Sequence, residues 1–139
     1  MRTLLFLDID GVLNTFDYIK SGKGYIDPTK ISLLNTLGGR GIEVVICSSW
    51  GYTQDTLSAL HNLKLPIIGG IEDEAMYGDW VCRGNLVEKW LIENIHDEPY
   101  EYYILDDSPD YLFRQEDNLI HVNGNIGLTQ EDINKIRWK

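Results

Sequence analysis

Cysteine is nearly absent from this chain: Cys47 and Cys82 are the whole complement in 139 residues. A chain of domain length with 43% hydrophobic residues can hold itself together by burial, so it needs no disulfide framework. Two widely separated thiols also offer no zinc spacing, and Cys47 inside the run EVVICSSW reads as a small core residue. His61, His96 and His121 are scattered without ligand spacing and receive no role. No apolar run approaches the roughly 20 residues that cross a bilayer, and the N-terminus lacks a signal-peptide pattern, so a cytoplasmic protein without membrane contact is expected. Basic residues are few: twelve against 22 acids, for a net charge of −10. The deficit is local, since residues 1–69 carry six acids and six bases while residues 70–139 carry sixteen acids and six bases. Such a surface repels polyanions at range, which excludes broad nonspecific duplex binding and suits a divalent cation.

What is present is an alternation of two kinds of segment. The runs at 3–8, 43–48, 65–70, 102–107 and 119–123 are short, continuous in apolarity and rich in Leu, Ile, Val and Tyr, as strands covered on both faces are. Helix-like segments separate them at 27–41, 53–63, 83–95 and 129–138, with Asp27-Pro28 opening the first, glycines 38, 39 and 41 closing it, and Thr129 capping the last. The pattern predicts an α/β, Rossmann-like, doubly wound sandwich of about five mainly parallel strands, in one domain spanning 1–139. Residues 11–26 and 70–82 fit neither element and are expected to be active-site loops. Neither is long enough for a separate cap domain.

In such sheets ligands bind beyond the carboxyl ends of the strands, and the polar residues gather there. The first strand ends in Asp8-Ile9-Asp10, the second in Ser48-Ser49-Trp50 and the fourth in Asp106-Asp107. Four carboxylates at one rim repel one another unless a cation compensates them, and an all-oxygen ligand set favours Mg²⁺. Asp8 is placed to attack phosphorus, and Asp10 to protonate the leaving oxygen and then activate water. Gly11 permits the turn that brings both to one ligand.

This order of motifs resembles the haloacid dehalogenase (HAD) superfamily. DIDGVLN is similar to its first motif, VVICSSW to its second and YYILDDSPDY to its fourth. The resemblance implies a phosphatase with Asp8 as nucleophile, Asp10 as acid/base and Ser48 as a donor to the phosphoryl group. It also implies a Mg²⁺ site drawn from Asp8, Asp10, Asp106 and Asp107, with Asp106 the leading ligand of the final pair. The third motif is normally a lysine; here Arg83 stands in its place, keeping the charge and adding a planar fork for phosphate oxygens. A narrower resemblance is to small HAD domains of the Swiss Army Knife RNA-repair type, carried by Asn14, Ser49-Trp50 and Gly127-Leu128-Thr129. That resemblance implies a phosphorylated substrate such as a nucleotide or nucleic-acid end, contacted by Asn14, Ser49 and Trp50.

Each residue also has an ordinary reading. Strand-terminal acids cap turns, Asp107 or Ser108 can open a helix, Trp50 and Tyr52 can pack rather than stack on a base, and Lys20 and Lys23 can belong to a solvated loop. The alternative function is a catalytically weak module that binds a phosphorylated ligand on the same rim. The Arg83 substitution favours it, and retention of Asp8 and Asp10 opposes it.

Overall fold

In the computed structural model, which describes residues 1–73 and 81–136, β1 (Arg2–Leu7) is the central strand of the sheet. Residues 74–80 of the expected loop 70–82 and residues 137–139, the first two of which fall in the expected last helix 129–138, lie outside the described residues. Leu4, Leu5, Phe6 and Leu7 are all fully buried, because β1 is covered on both faces. It pairs in parallel with β2 (Ile42–Ile46) on one side and β4 (Tyr100–Asp106) on the other. Outside these lie β3 (Ile67–Gly70) and β5 (Leu119–His121), also parallel, giving the order β3-β2-β1-β4-β5. The expected fold class stands, without a large cap.

The two faces divide by residue parity. Leu5, Leu7, Val44, Ile46 and Leu105 point into one core with Ile31 and Leu34 of α2 (Pro28–Asn35) and Ile133 of α5 (Gln130–Asn134). Leu4, Phe6, Val45, Cys47 and Ile104 point into the other, under Leu86, Val87, Trp90 and Leu91 of α4 (Arg83–Asn94). Phe6 meets Trp90 and Tyr102 edge-on, with ring centroids 5.7 and 5.8 Å apart.

The expected elements differ from the observed ones chiefly at their ends. The expected helix 27–41 stops at Asn35, where the Thr36 hydroxyl donates to Leu33 O, and Gly39 and Gly41 then take positive φ. The expected loop 11–26 contains a helix, α1 (Phe16–Lys20), capped by Thr15 and too short to show a periodic signal. A helix also spans Gln54–Ala59 (α3), capped by Thr53.

Gly84 seats the start of α4. Gln115, fully buried after a 3₁₀ turn at Phe113–Gln115, donates to Gly84 O and accepts from Leu112 N. A Cβ at Gly84 would lie 2.2 Å from Gln115 Oε1 and 2.7 Å from Leu112 N. In an exposed helix Gly→Ala stabilises by up to about 1 kcal/mol. Here the sign reverses: Gly84→Ala is expected to destabilise by about 1–3 kcal/mol, read as a lower midpoint in urea with unchanged slope.

Candidate active site

Three strand ends meet where the chain leaves the centre of the sheet. Asp8 directly follows β1, and its N–H donates to Leu105 O, so the β1–β4 ladder carries one residue past the strand and holds the Asp8 backbone in register. Cys47 N donates to Leu7 O on the other side. Asp106 is the last residue of β4. The connections from β1 and β3 run to opposite sides of the sheet, so this rim is the topological switch point, where open α/β sheets bind ligands.

Carboxylate oxygens of Asp8, Asp106 and Asp107 lie within 4.8 Å of one another. Asp106 is fully buried and firmly held: Oδ2 accepts from Arg83 Nη1 at 2.8 Å and from the Tyr111 hydroxyl at 2.5 Å, and Oδ1 accepts from Ser108 N at 3.0 Å. Asp107 lines the cleft with Asp8, whereas Asp106 lies behind them. Two glycines make room for Asp107: a Cβ on Gly11 would sit 2.1 Å from its Oδ2, and a Cβ on Gly124 would sit 2.7 Å away. Gly11 also has φ of +83°, in the left-handed region open to glycine.

Arg83, the first residue of α4, supplies positive charge to this group. Its Nη1 stands 3.7 Å from Asp8 Oδ1 and donates to Cys47 O at 3.4 Å. Its backbone N–H donates to Asp110 Oδ2, so the acidic segment after β4 holds the start of α4 against the site. Burial, and next the neighbouring Asp106 charge, push the Asp8 carboxyl up to about 9, and Arg83 opposes them. Burial likewise raises Asp107 above the ordinary carboxylate range, followed by its hydrogen bond with Asp106. Burial raises the Tyr111 hydroxyl, which keeps it a neutral donor to Asp106.

Asp10 is not part of the carboxylate group. It is exposed, and its carboxylate accepts from Asn14 Nδ2 at 3.1 Å and from Trp50 Nε1 at 3.2 Å. Asn14, 1% exposed, also donates to Tyr25 O and accepts from Gly11 N, so its whole amide is engaged. Ser48 is buried and accepts from Trp50 N at 3.2 Å, which leaves its own O–H to donate. Ser49 is exposed and lines both the main cleft and a side cleft of about 120 Å³ shared with Ser48 and Arg83. The main cleft, of about 400 Å³, is walled by Asp8, Asp10, Asp107 and Arg83 and edged by Phe16 and Ile19 of α1.

Residues 4–133 match the family model described as the HAD domain in Swiss Army Knife RNA repair proteins. The chain belongs to this family. No curated protein and no solved structure matches it. HAD domains generally use Mg²⁺, and the residues here fit such an ion: three carboxylates converge, and the donors are all oxygen. Among the described residues no helix is long and apolar enough to cross a membrane.

Sequence reasoning about this HAD domain missed Tyr111, Gly124 and the walls formed by Phe16 and Ile19. Tyr111 closes the quoted stretch YYILDDSPDY, five residues after Asp106. Only the return of the chain after Pro109 shows that its hydroxyl reaches back under the strand end. Phe16 and Ile19 carry no motif, and helix formation alone turns them to the cleft.

Proposed function

We propose that this HAD domain is a Mg²⁺-dependent phosphomonoesterase acting through a phospho-aspartyl intermediate on Asp8. One observation carries the reading: Asp8 directly follows the central strand, lines the cleft, and has Asp106, Asp107 and Arg83 around its carboxylate. Asp8 Oδ attacks phosphorus while the ester P–O bond breaks, and the departing oxygen takes a proton from Asp10. Water then attacks the phosphorus and gives a proton to Asp10, and the P–O bond to Asp8 breaks, releasing inorganic phosphate and the Asp8 carboxylate. Ser48 and Arg83 hold the phosphoryl oxygens, and positioning with fixed charge supplies most of the acceleration. Mg²⁺ held by Asp8, Asp106 and Asp107 supplies charge neutralisation for the phosphoryl group. Asp10, also expected at the metal, is assigned proton transfer because its carboxylate faces Asn14 and Trp50 instead.

The family's RNA-repair description and the open cleft support a phosphorylated nucleotide or nucleic-acid end as substrate. A net charge of −10 gives little grip on a polyanionic backbone, so engagement through the terminal phosphate is the mode that the electrostatics allow. The test is phosphate release from a 3′-phosphorylated oligonucleotide and from an aryl phosphate. Release in Mg²⁺ that stops in EDTA is expected from both, faster from the oligonucleotide. A faster aryl phosphate would remove the nucleic-acid assignment, and release unaffected by EDTA would remove the metal.

A further inference from the structure

The least expected feature of the cleft is that Trp50 and Asn14, which the motifs offered as substrate contacts, both direct their N–H groups at Asp10. We propose that Trp50 and Asn14 are positioning residues for Asp10, fixing it against the leaving oxygen of an alkyl phosphomonoester. The inference rests on the phosphohydrolase reading above.

The clamp is built from both sides of the site. Asn14 belongs to the turn after β1, where Val12 N and Leu13 N donate to Ile9 O and Gly11 N donates to Asn14 Oδ1. Its Nδ2 is thereby aimed at Asp10 Oδ1. Trp50 comes from the turn after β2: its N–H donates to Ser48 Oγ, its carbonyl accepts from Thr56 Oγ1, and Gly51, at φ +72°, turns the chain and donates to Ser48 O. The indole packs on the core edge and its N–H reaches Asp10 Oδ2. Each Asp10 oxygen therefore has its own donor, on separate elements, although the side chain is exposed. An exposed aspartate otherwise samples several rotamers, and two fixed donors remove that freedom.

The fixed geometry indicates the substrate class. An acidic phenol leaves without a proton, whereas an alkoxide, such as a ribose hydroxyl oxygen, leaves slowly unless it is protonated as the P–O bond breaks. A pair of residues committed to aiming the proton donor matters for the second kind of ester and little for the first. An indole that donates to Asp10 from the cleft edge is also oriented by that bond, which sets it apart from a freely presented stacking platform.

The experiment compares kcat/KM, which reports steps through leaving-group departure, for wild type and Trp50→Phe on three substrates. These are a nucleoside 3′-phosphate, glycerol 2-phosphate and an aryl phosphate with an acidic phenol. Phe keeps the packing and lacks the N–H. Trp50→Phe is expected to lower both alkyl substrates about tenfold more than the aryl one, and to add nothing further in an Asp10→Asn background. Loss confined to the nucleoside phosphate would assign Trp50 to base stacking and overturn the proposal. Equal loss on all three, or additivity with Asp10→Asn, would overturn it in favour of packing alone. Wild-type turnover of none of the three would overturn the phosphohydrolase reading and this inference together, whereas turnover without the differential overturns this inference only.

Discussion

Asp8→Asn is expected to lower phosphate release by at least about 10³-fold while the protein stays folded, since a neutral amide cannot replace the attacking carboxylate. The substitution keeps shape and volume, and the backbone N–H at position 8 can still donate to Leu105 O at the end of the β1–β4 ladder. Circular dichroism and the unfolding midpoint check the fold, and single-turnover phosphate release checks the chemistry. Trapping of acid-stable phosphate on the wild-type chain, absent from the variant, would locate the intermediate. A variant that keeps more than about a tenth of wild-type turnover would remove Asp8 as nucleophile, because loss of a covalent catalyst is never that mild. If Asp8→Asn abolishes turnover yet wild type forms no phosphorylated chain, direct attack by water replaces the two-step mechanism.

Stability should fall as pH rises when metal is removed, opposite to the usual behaviour of proteins held by ion-paired carboxylates. Asp8 has a folded pKa raised to about 9, against an ordinary value of 3.8, so the folded chain binds more protons than the unfolded one between these limits. Its contribution is complete below the ordinary value and is lost as pH rises through the window. Asp107 is shifted in the same direction. Glu88, lowered by its hydrogen bond from Arg114, has the opposite sign, but its loss occurs as pH falls through the ordinary carboxylate range. Between about pH 5 and about pH 8 the acidic cluster therefore governs the slope. In EDTA the melting temperature should drop across this interval, and Asp8→Asn should flatten the drop. A divalent cation binds the ionised cluster in the folded chain, so millimolar Mg²⁺ should raise the midpoint more at high pH than at low pH. A midpoint that climbs with pH in EDTA, or a Mg²⁺ effect independent of pH, would contradict this account of the site.

The fold was legible because local and global signals agreed. Leu4 to Leu7 are apolar without alternation, and a strand of that kind has to be covered on both faces. Capping signals at Asp27 and Thr129 marked helix starts to within a residue. Helix ends were harder to read. The expected first helix was carried through to its closing glycines at 38, 39 and 41, but α2 ends at Asn35, where the Thr36 hydroxyl donates to Leu33 O, and the glycines lie in the turn that follows. The short α1 carries too few residues for any period to show.

For the candidate site, spacing and residue type were enough to bring Asp8, Ser48, Arg83, Asp106 and Asp107 to one rim, because each is tied to the end of a strand or the start of a helix. The sequence by itself determined the α/β order of elements, the strand-end placement of the acids and the family to which the chain belongs. What only the tertiary structure decided is how the carboxylates divide. Asp106 is buried under Tyr111 and Arg83, Asp107 faces the cleft between Gly11 and Gly124, and Asp10 is held apart by Trp50 and Asn14. The reason is physical: strand period and motif spacing specify where a Cα stands, but the direction of a carboxylate depends on which donors surround it. Those donors come from turns distant in sequence that meet only when the sheet is closed on both faces.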